Sequence, residues 1–330
     1  MLPNKLSLPV TRWLCAVGAC LIAAAAHAQT TAPWPTRPLR IVVGFAAGSS
    51  PDLVARTLSD PLSKALGQPV IVENHPGASG NIAADIVAKS TDQHTIGMLI
   101  NGNLTIAKLL NPATPYDPQK DLAPISLVCT APLVLAVPAG HAAADATAFF
   151  AAARAAGDRW SYGTPGVGTL GHLGMELLKA QTGMKAVHVP YQGNPQVITG
   201  LVSGQIELAL LPPGLADAQV RAGRLRPIGV TSSARSPLVP TYPTLEEGGV
   251  HGFGLDIWTA AAAPATLPPA IRARLSSLVA EIAQTPEVRQ KLFQQGYQAV
   301  GSSAEVLAER LRKDTAALSR IIREQGVRIE

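Results

Sequence analysis

Residues 45–52, Phe-Ala-Ala-Gly-Ser-Ser-Pro-Asp, join an apolar run, Leu39–Val43, to a helical pattern over residues 53–66. A strand that ends in small residues and opens a helix aims several backbone N–H groups at one point. Such a point attracts an anion without lysine or arginine. Gly48, Ser49 and Ser50 let the chain come close, with Ala47 beside them. Asp52 lies in the first helical turn, where it either complements the helix dipole or orders the turn around an anion.

Gly166-Val167-Gly168-Thr169-Leu170-Gly171 matches the dinucleotide pattern G-x-G-x-x-G, after a strand and before a helix. The following strand, residues 186–190, ends without the acidic residue that would hold a ribose, so no nucleotide cofactor is expected. Glycine at these positions still lets backbone amides approach an anion. A hydrolase nucleophile would need G-x-S-x-G, but Gly77-Ala78-Ser79-Gly80-Asn81 breaks that pattern at its last position. His172, His188 and His251 are not paired by motif with a serine and a carboxylate. His172 either props the glycine loop or serves as a base. Histidine and acidic spacings do not suit a metal. Asn101-Gly102-Asn103 ends a strand as a plain turn or as a cleft wall. Tyr191-Gln192-Gly193-Asn194 follows the strand at His188, a placement that favours the cleft. The expectation is binding, with no catalytic residue, metal or cofactor.

These loops need elements to hold them. Strand patterns over 39–43, 70–73, 95–100 and 133–137 alternate with helical ones over 53–66 and 82–88. Ser50 reads as N-cap, Pro51 as first helical residue and Gly67 as stop. A second α/β set follows over 143–231, with strands at 160–163, 186–189, 206–211 and 227–231. Residues 236–254 are rich in proline and glycine, and residues 254–258 are extended. Helical patterns at 270–284, 286–295 and 304–324 have no sheet of their own and must pack on the first one. Such alternation predicts parallel α/β sheets. It also predicts two passages between units, near Val137 and near Phe253, and hence a cleft.

The first 28 residues read as a leader. Lys5 and Arg12 precede an apolar run over 13–26, and Ala26-His27-Ala28 fits a small-x-small cleavage site. An uncleaved anchor, or lipidation at Cys20, would also export the chain. Cys15 and Cys20 lie in that leader, so Cys129 alone remains and no intrachain disulfide can form. Export without disulfides suggests a bacterial periplasm. The formal charge of +5 falls to +3 without Lys5 and Arg12, and the remaining charge is not clustered. No nucleic-acid surface is implied.

Several stretches in this order carry a resemblance. They are residues 40–45 with their turn, Glu73-Asn74-His75-Pro76-Gly77, Ser161-Tyr162-Gly163 through Gly168-Thr169 with His172, and His188-Val189-Pro190-Tyr191-Gln192-Gly193. Ala222-Gly223-Arg224, residues 243–248 and Pro286-Glu287-Val288-Arg289 follow. Together they resemble the Bug (TctC-like) family, periplasmic solute receptors of tripartite tricarboxylate transporters. The resemblance implies an α/β, two-lobed periplasmic-binding-protein fold (type II, Venus flytrap) whose hinge is crossed twice. Lobe one would be 29–137 plus 254–330, and lobe two 138–253. It also implies a small organic carboxylate held by amides, a membrane permease as partner, and a monomer.

Carried over, the ligand-binding positions are Ala47, Gly48, Ser49, Ser50 and Asp52; Asn101 and Gly102; Gly166, Val167, Gly168, Thr169 and His172; and Gln192 and Gly193. Four or five hydrogen bonds to a charged group, each about 1.5–3 kcal/mol, are of the size micromolar binding requires. Two departures stand out. Ser49-Ser50-Pro51 replaces the family's prolines and glycine run, and Leu211 stands where the family often has aspartate. Leucine cannot receive an ammonium, so the expected ligand is a carboxylate without one, leaving room for an apolar or aromatic body. Two other classes stay open: an exported hydrolase using His172 near Thr169 or Ser49, and a sensor subunit presenting its closed form to a signalling kinase.

Overall fold

A computed structural model describes residues 34–143 and 145–326. The leader, with its cleavage and lipidation readings, lies outside them. Two twisted sheets carry the fold, and strands are numbered here along the chain.

The first sheet has the order β2-β1-β3-β10-β4-β11. Its strands are β1 (Leu39–Val43), β2 (Val70–Asn74), β3 (Thr95–Ile100), β4 (Leu122–Pro132), β10 (Asp256–Pro264) and β11 (Gln298–Ala299). The second has the order β7-β6-β8-β5-β9. It contains β5 (Val134–Pro138), β6 (Ser161–Thr164), β7 (Val187–Pro190), β8 (Leu208–Leu211) and β9 (Leu225–Val230).

Each sheet mixes directions, which corrects the expectation of parallel sheets. Strand β1 is parallel to β2 and β3, as crossover helices require, but β10 runs antiparallel to β3 and β4. In the second sheet β6 is parallel to β7 and β8, while β5 is antiparallel to β8 and β9. Strands β5 and β10 each arrive from the other sheet, and the short β11 is likewise antiparallel to β4. Strand β4 leads straight into β5 across Leu133, and β10 returns after Leu255. The expected first passage near Val137 therefore falls at Leu133, and the 133–137 strand belongs to the second sheet.

Helix α1 (Ser50–Leu66) buries Val54, Leu58, Leu62 and Leu66 and stops at Gly67, which is left-handed at φ 67°. Helices α2 (Asn81–Ala88), α3 (Asn101–Thr105) and α4 (Ala107–Leu110) complete the first half. In the second half lie α5 (Ala146–Ala156), α6 (Leu170–Thr182), α7 (Asn194–Val202) and α8 (Pro213–Arg221). The chain closes with α9 (Pro269–Gln284), α10 (Pro286–Gln294) and α11 (Ala304–Gln325). Helix α11 does not pack on the first sheet alone. Its Leu307 joins the core of Val42, Leu99 and Trp258, while its Leu318 and Ile322 join the second core with Leu135, Tyr162 and Leu173.

The loops after β1 and β2 touch backbone to backbone. A Cβ on Gly44 would lie 2.4 Å from the Gly80 Cα and 2.6 Å from its carbonyl oxygen. Backbone on both sides leaves no flexible end to yield. Gly44→Ala is expected to cost about 1–3 kcal/mol in urea unfolding. Gly140→Ala, which meets nothing within 4 Å, is expected to leave the midpoint unchanged.

Candidate functional site

The turn after β1 is built around Asp52. Its carboxylate accepts the Gly48 N–H at 2.8 Å, the Asn74 amide at 2.9 Å and the Arg56 guanidinium at 3.0 Å. Asn74 also donates to the Phe45 carbonyl at 3.0 Å, and its oxygen accepts from Arg56 at 3.0 Å. Burial would raise the Asp52 carboxyl, but the bonds from Arg56, Gly48 and Asn74 hold it below its ordinary value. Asp52 thus orders the loop and neutralises Arg56.

The helix starts one residue earlier than expected, and Ser49 rather than Ser50 is the N-cap. A capping hydroxyl bonds the N–H of the second or third helical residue. The second is Pro51, which has none, and Ser49 makes no side-chain cap. Its hydroxyl is buried without a partner, at 1% exposure. It sits 2.5 Å from where a Cβ on Gly193 would be, so a side chain there would displace it.

The remaining loops converge from both sheets. Asn194 donates to the Ser50 hydroxyl at 3.1 Å. A Cβ on Gly102 would meet the Gly168 carbonyl at 2.7 Å, and one on Gly166 would meet the Ser79 hydroxyl at 2.4 Å. Asn101–Thr105 is a short helix rather than a plain turn. The Asn101 side chain accepts the Trp258 N–H at 3.0 Å and reaches the Asp256 carbonyl at 3.4 Å.

His172 props the glycine loop. Its Nδ1 accepts the Gly168 N–H at 3.1 Å, while the Thr169 hydroxyl donates to the Gly166 carbonyl at 2.7 Å. His172 stacks on His188 with centroids 4.3 Å apart, and Tyr162 stacks on His188 at 5.0 Å. His188 Nε2 lies 2.6 Å from the Thr164 hydroxyl. Tyr162 in turn donates to Glu176, which pairs with Lys179. Burial pushes His172 down to about 4, with Glu176 and Lys179 opposing each other; burial and then His172 push His188 to about 4.

Together these loops enclose a chamber of ≈ 50 Å³. Of the residues named from sequence, Ser49, Ser50, Asn101 and Thr169 line it. Gly102, Val167 and Gly168 line a recess of ≈ 220 Å³ on one side. Gly166, Val167 and Gln192 line another of ≈ 270 Å³ on the other. Ala47, Gly48, Asp52, His172 and Gly193 line none of these three; Asp52 and His172 instead hold the loop amides of Gly48 and Gly168. Phe45 and Asn194 also line the chamber, in turns that the sequence singled out without naming these two as binding positions, while Leu210 and Trp258 were missed. Leu211 is absent from that wall: its side chain packs with Val134 and Ala216, while Leu210 and Pro212 face inward. Strand alternation explains the swap.

The chamber is ringed by helix starts. Ser50 and Pro51 open α1, Leu170 and Gly171 open α6, Asn194 opens α7, and Pro212 caps α8. Each start carries about half a positive charge and free N–H groups. Prolines at the starts of α1, α7 and α8 remove donors there. The start of α6 is thus the amide-rich wall, and the turn after β1 is less so, because its Gly48 amide is engaged by Asp52. Among the described residues, none lining the chamber is charged.

Helix starts from two sheets gathered around an uncharged chamber are the arrangement of a solute-binding receptor. The model for the tripartite tricarboxylate transporter family receptor matches residues 54–327. The chain belongs to that family, the Bug/TctC receptors. It is 33% identical over 323 residues to a UPF0065 protein in the tcbD-tcbE intergenic region of Pseudomonas sp. (strain P51), covering 97% of this chain and 96% of that one. Among solved structures, R. palustris Rpa4515 with adipate superposes with a TM-score of 0.86 at 29% identity, covering 89% of this chain and 99% of that one. MatC from Rhodopseudomonas palustris with bound malate gives 0.83 at 29% identity, covering 88% and 100%.

The stacked histidines generate a pH prediction. Both are held neutral near 4 when folded, against about 6.5 when unfolded. As pH falls from 6.5 toward 4 the unfolded chain takes up protons that the folded one refuses, so stability falls in that window. The loss is roughly 3 kcal/mol for His172 and less for the more exposed His188. Below about 4 the two add nothing further. Thermal melts are expected to show this slope, and the His172→Gln, His188→Phe double variant is expected to flatten it.

Proposed function

We propose that the protein is exported to the periplasm, with cleavage after Ala28, and there captures a small organic carboxylate between its lobes. The lobes are the first sheet with α1–α4, α9 and α10, and the second sheet with α5–α8. Capture holds the two together, and the closed form is handed to the membrane permease of a tripartite transporter. The protein acts as a monomer, without metal or cofactor.

The observation that carries this reading is the ring of helix starts around a chamber with no charged side chain. Such a wall favours an anion of modest charge, and it offers hydroxyls with no histidine or carboxylate lining it to activate them. The orphaned Ser49 hydroxyl adds a donor that the fold itself does not use. Adipate and malate in two relatives support a carboxylate as the anion.

The test is a thermal-shift screen of small organic acids, followed by mass spectrometry of the recovered acid. At least one acid is expected to raise the midpoint with concentration and to return intact. Conversion of the acid would favour the hydrolase reading, and no stabilisation by any acid would remove the receptor reading. Ser49→Ala is expected to weaken binding about tenfold or more while leaving the free protein's midpoint unchanged or raised. A structural hydroxyl would show the opposite pattern.

A further inference from the structure

The chamber has two unlike halves. The helix-start half carries the Ser49 and Ser50 hydroxyls, Thr169 and Asn194. The other half is a floor made by the strands that pass between the lobes: Leu133 at the first passage, Ile257 and Trp258 at the second, with Ile100 and Leu210 beside them. Polar groups on that floor are already engaged. Asn101 has its oxygen on the Trp258 N–H and its nitrogen on the Asp256 carbonyl. The Trp258 indole N–H points away to Asp314 on α11, at 2.6 Å, and the Thr259 hydroxyl lies against the Cys129 thiol.

Taking the receptor reading as given, we infer that the chamber selects a short monocarboxylate with an uncharged apolar tail. The carboxylate takes the helix-start half, and the tail lies on Leu133, Leu210, Ile257 and Trp258. A second carboxylate, or an ammonium, directed at the floor would be buried without a partner, which is strongly disfavoured. The chamber is small, ≈ 50 Å³ against ≈ 220 and ≈ 270 Å³ for the neighbouring recesses, which suits a short acid. This separates the chain from the two relatives solved with dicarboxylates. It also moves the basis of ammonium rejection from Leu211, which packs in the core, to the floor itself.

Calorimetry on the unaltered protein tests the inference, with propionate, butyrate and valerate set against succinate, glutarate, adipate, malate and 4-aminobutyrate. Trp258 fluorescence follows the same titrations. At matched length the monocarboxylates are expected to bind at least tenfold more tightly, with a change in Trp258 emission that Trp258→Phe removes. Equal or tighter binding of any dicarboxylate, or of 4-aminobutyrate, overturns the inference and leaves the receptor reading standing. Failure of every acid to bind overturns both. Among the monocarboxylates, affinity is expected to rise with each added methylene until the floor is filled, each step being a several-fold gain. Affinity that ignores tail length would overturn the placement of the tail.

Discussion

The Asp52 carboxylate is the interaction on which the rest of the site depends. It gathers the Gly48 amide, Asn74 from the end of β2 and Arg56 from the next turn of its own helix. Three consequences follow from this one buried charge. The turn after β1 acquires a fixed shape, which places Ser49 and Ser50 against Gly193 and Asn194. The loop after β2 is tied to the loop after β1, where Gly44 and Gly80 touch. Finally, Arg56 is paired within its own helix, and the chamber is lined by helix starts and hydroxyls. A free arginine there would hold any anion strongly and discriminate poorly. Helix starts hold it more weakly and demand that it fit.

Much of this was legible in the sequence. Glycines and serines at strand ends, repeated from 44 to 50 and from 163 to 171, announced loops that approach an anion. The stop of α1 at Gly67 was read from the sequence, and its start was read one residue late; Thr169 caps α6 and Gly183 ends it by the same chemistry, though neither was singled out. The failures have physical causes. Strand β4 escaped notice because Pro124 and Ser126 interrupt its apolar run. Strand β10 looked short because its middle is Ala260 to Ala263; alanine is a weak strand former, and this segment is a strand because it is buried between β3 and β4.

Site residues were hardest to read where their role depends on a distant partner. Asn74 and Asn194 look like ordinary loop amides until the fold brings them to Asp52 and Ser50. Trp258 looked like part of an extended segment, and only the sheet order puts it beneath the chamber. Leu211 and Leu210 are neighbours of the same type, and strand registration alone decides which one faces inward. The same limit applied to the first passage between sheets, because residues 133–137 are apolar on both faces and suit the middle of either sheet.

The central claim is that backbone amides at the start of α6, with no basic side chain, hold the acid. Its most direct measurement is the amide and guanidinium NMR spectrum of the protein titrated with whichever acid stabilises it. The account predicts that the Leu170 and Gly171 amide resonances move together to saturation while the Arg56 side-chain resonance stays in place. Movement of the Arg56 guanidinium, with the Leu170 and Gly171 amides unmoved, would contradict it.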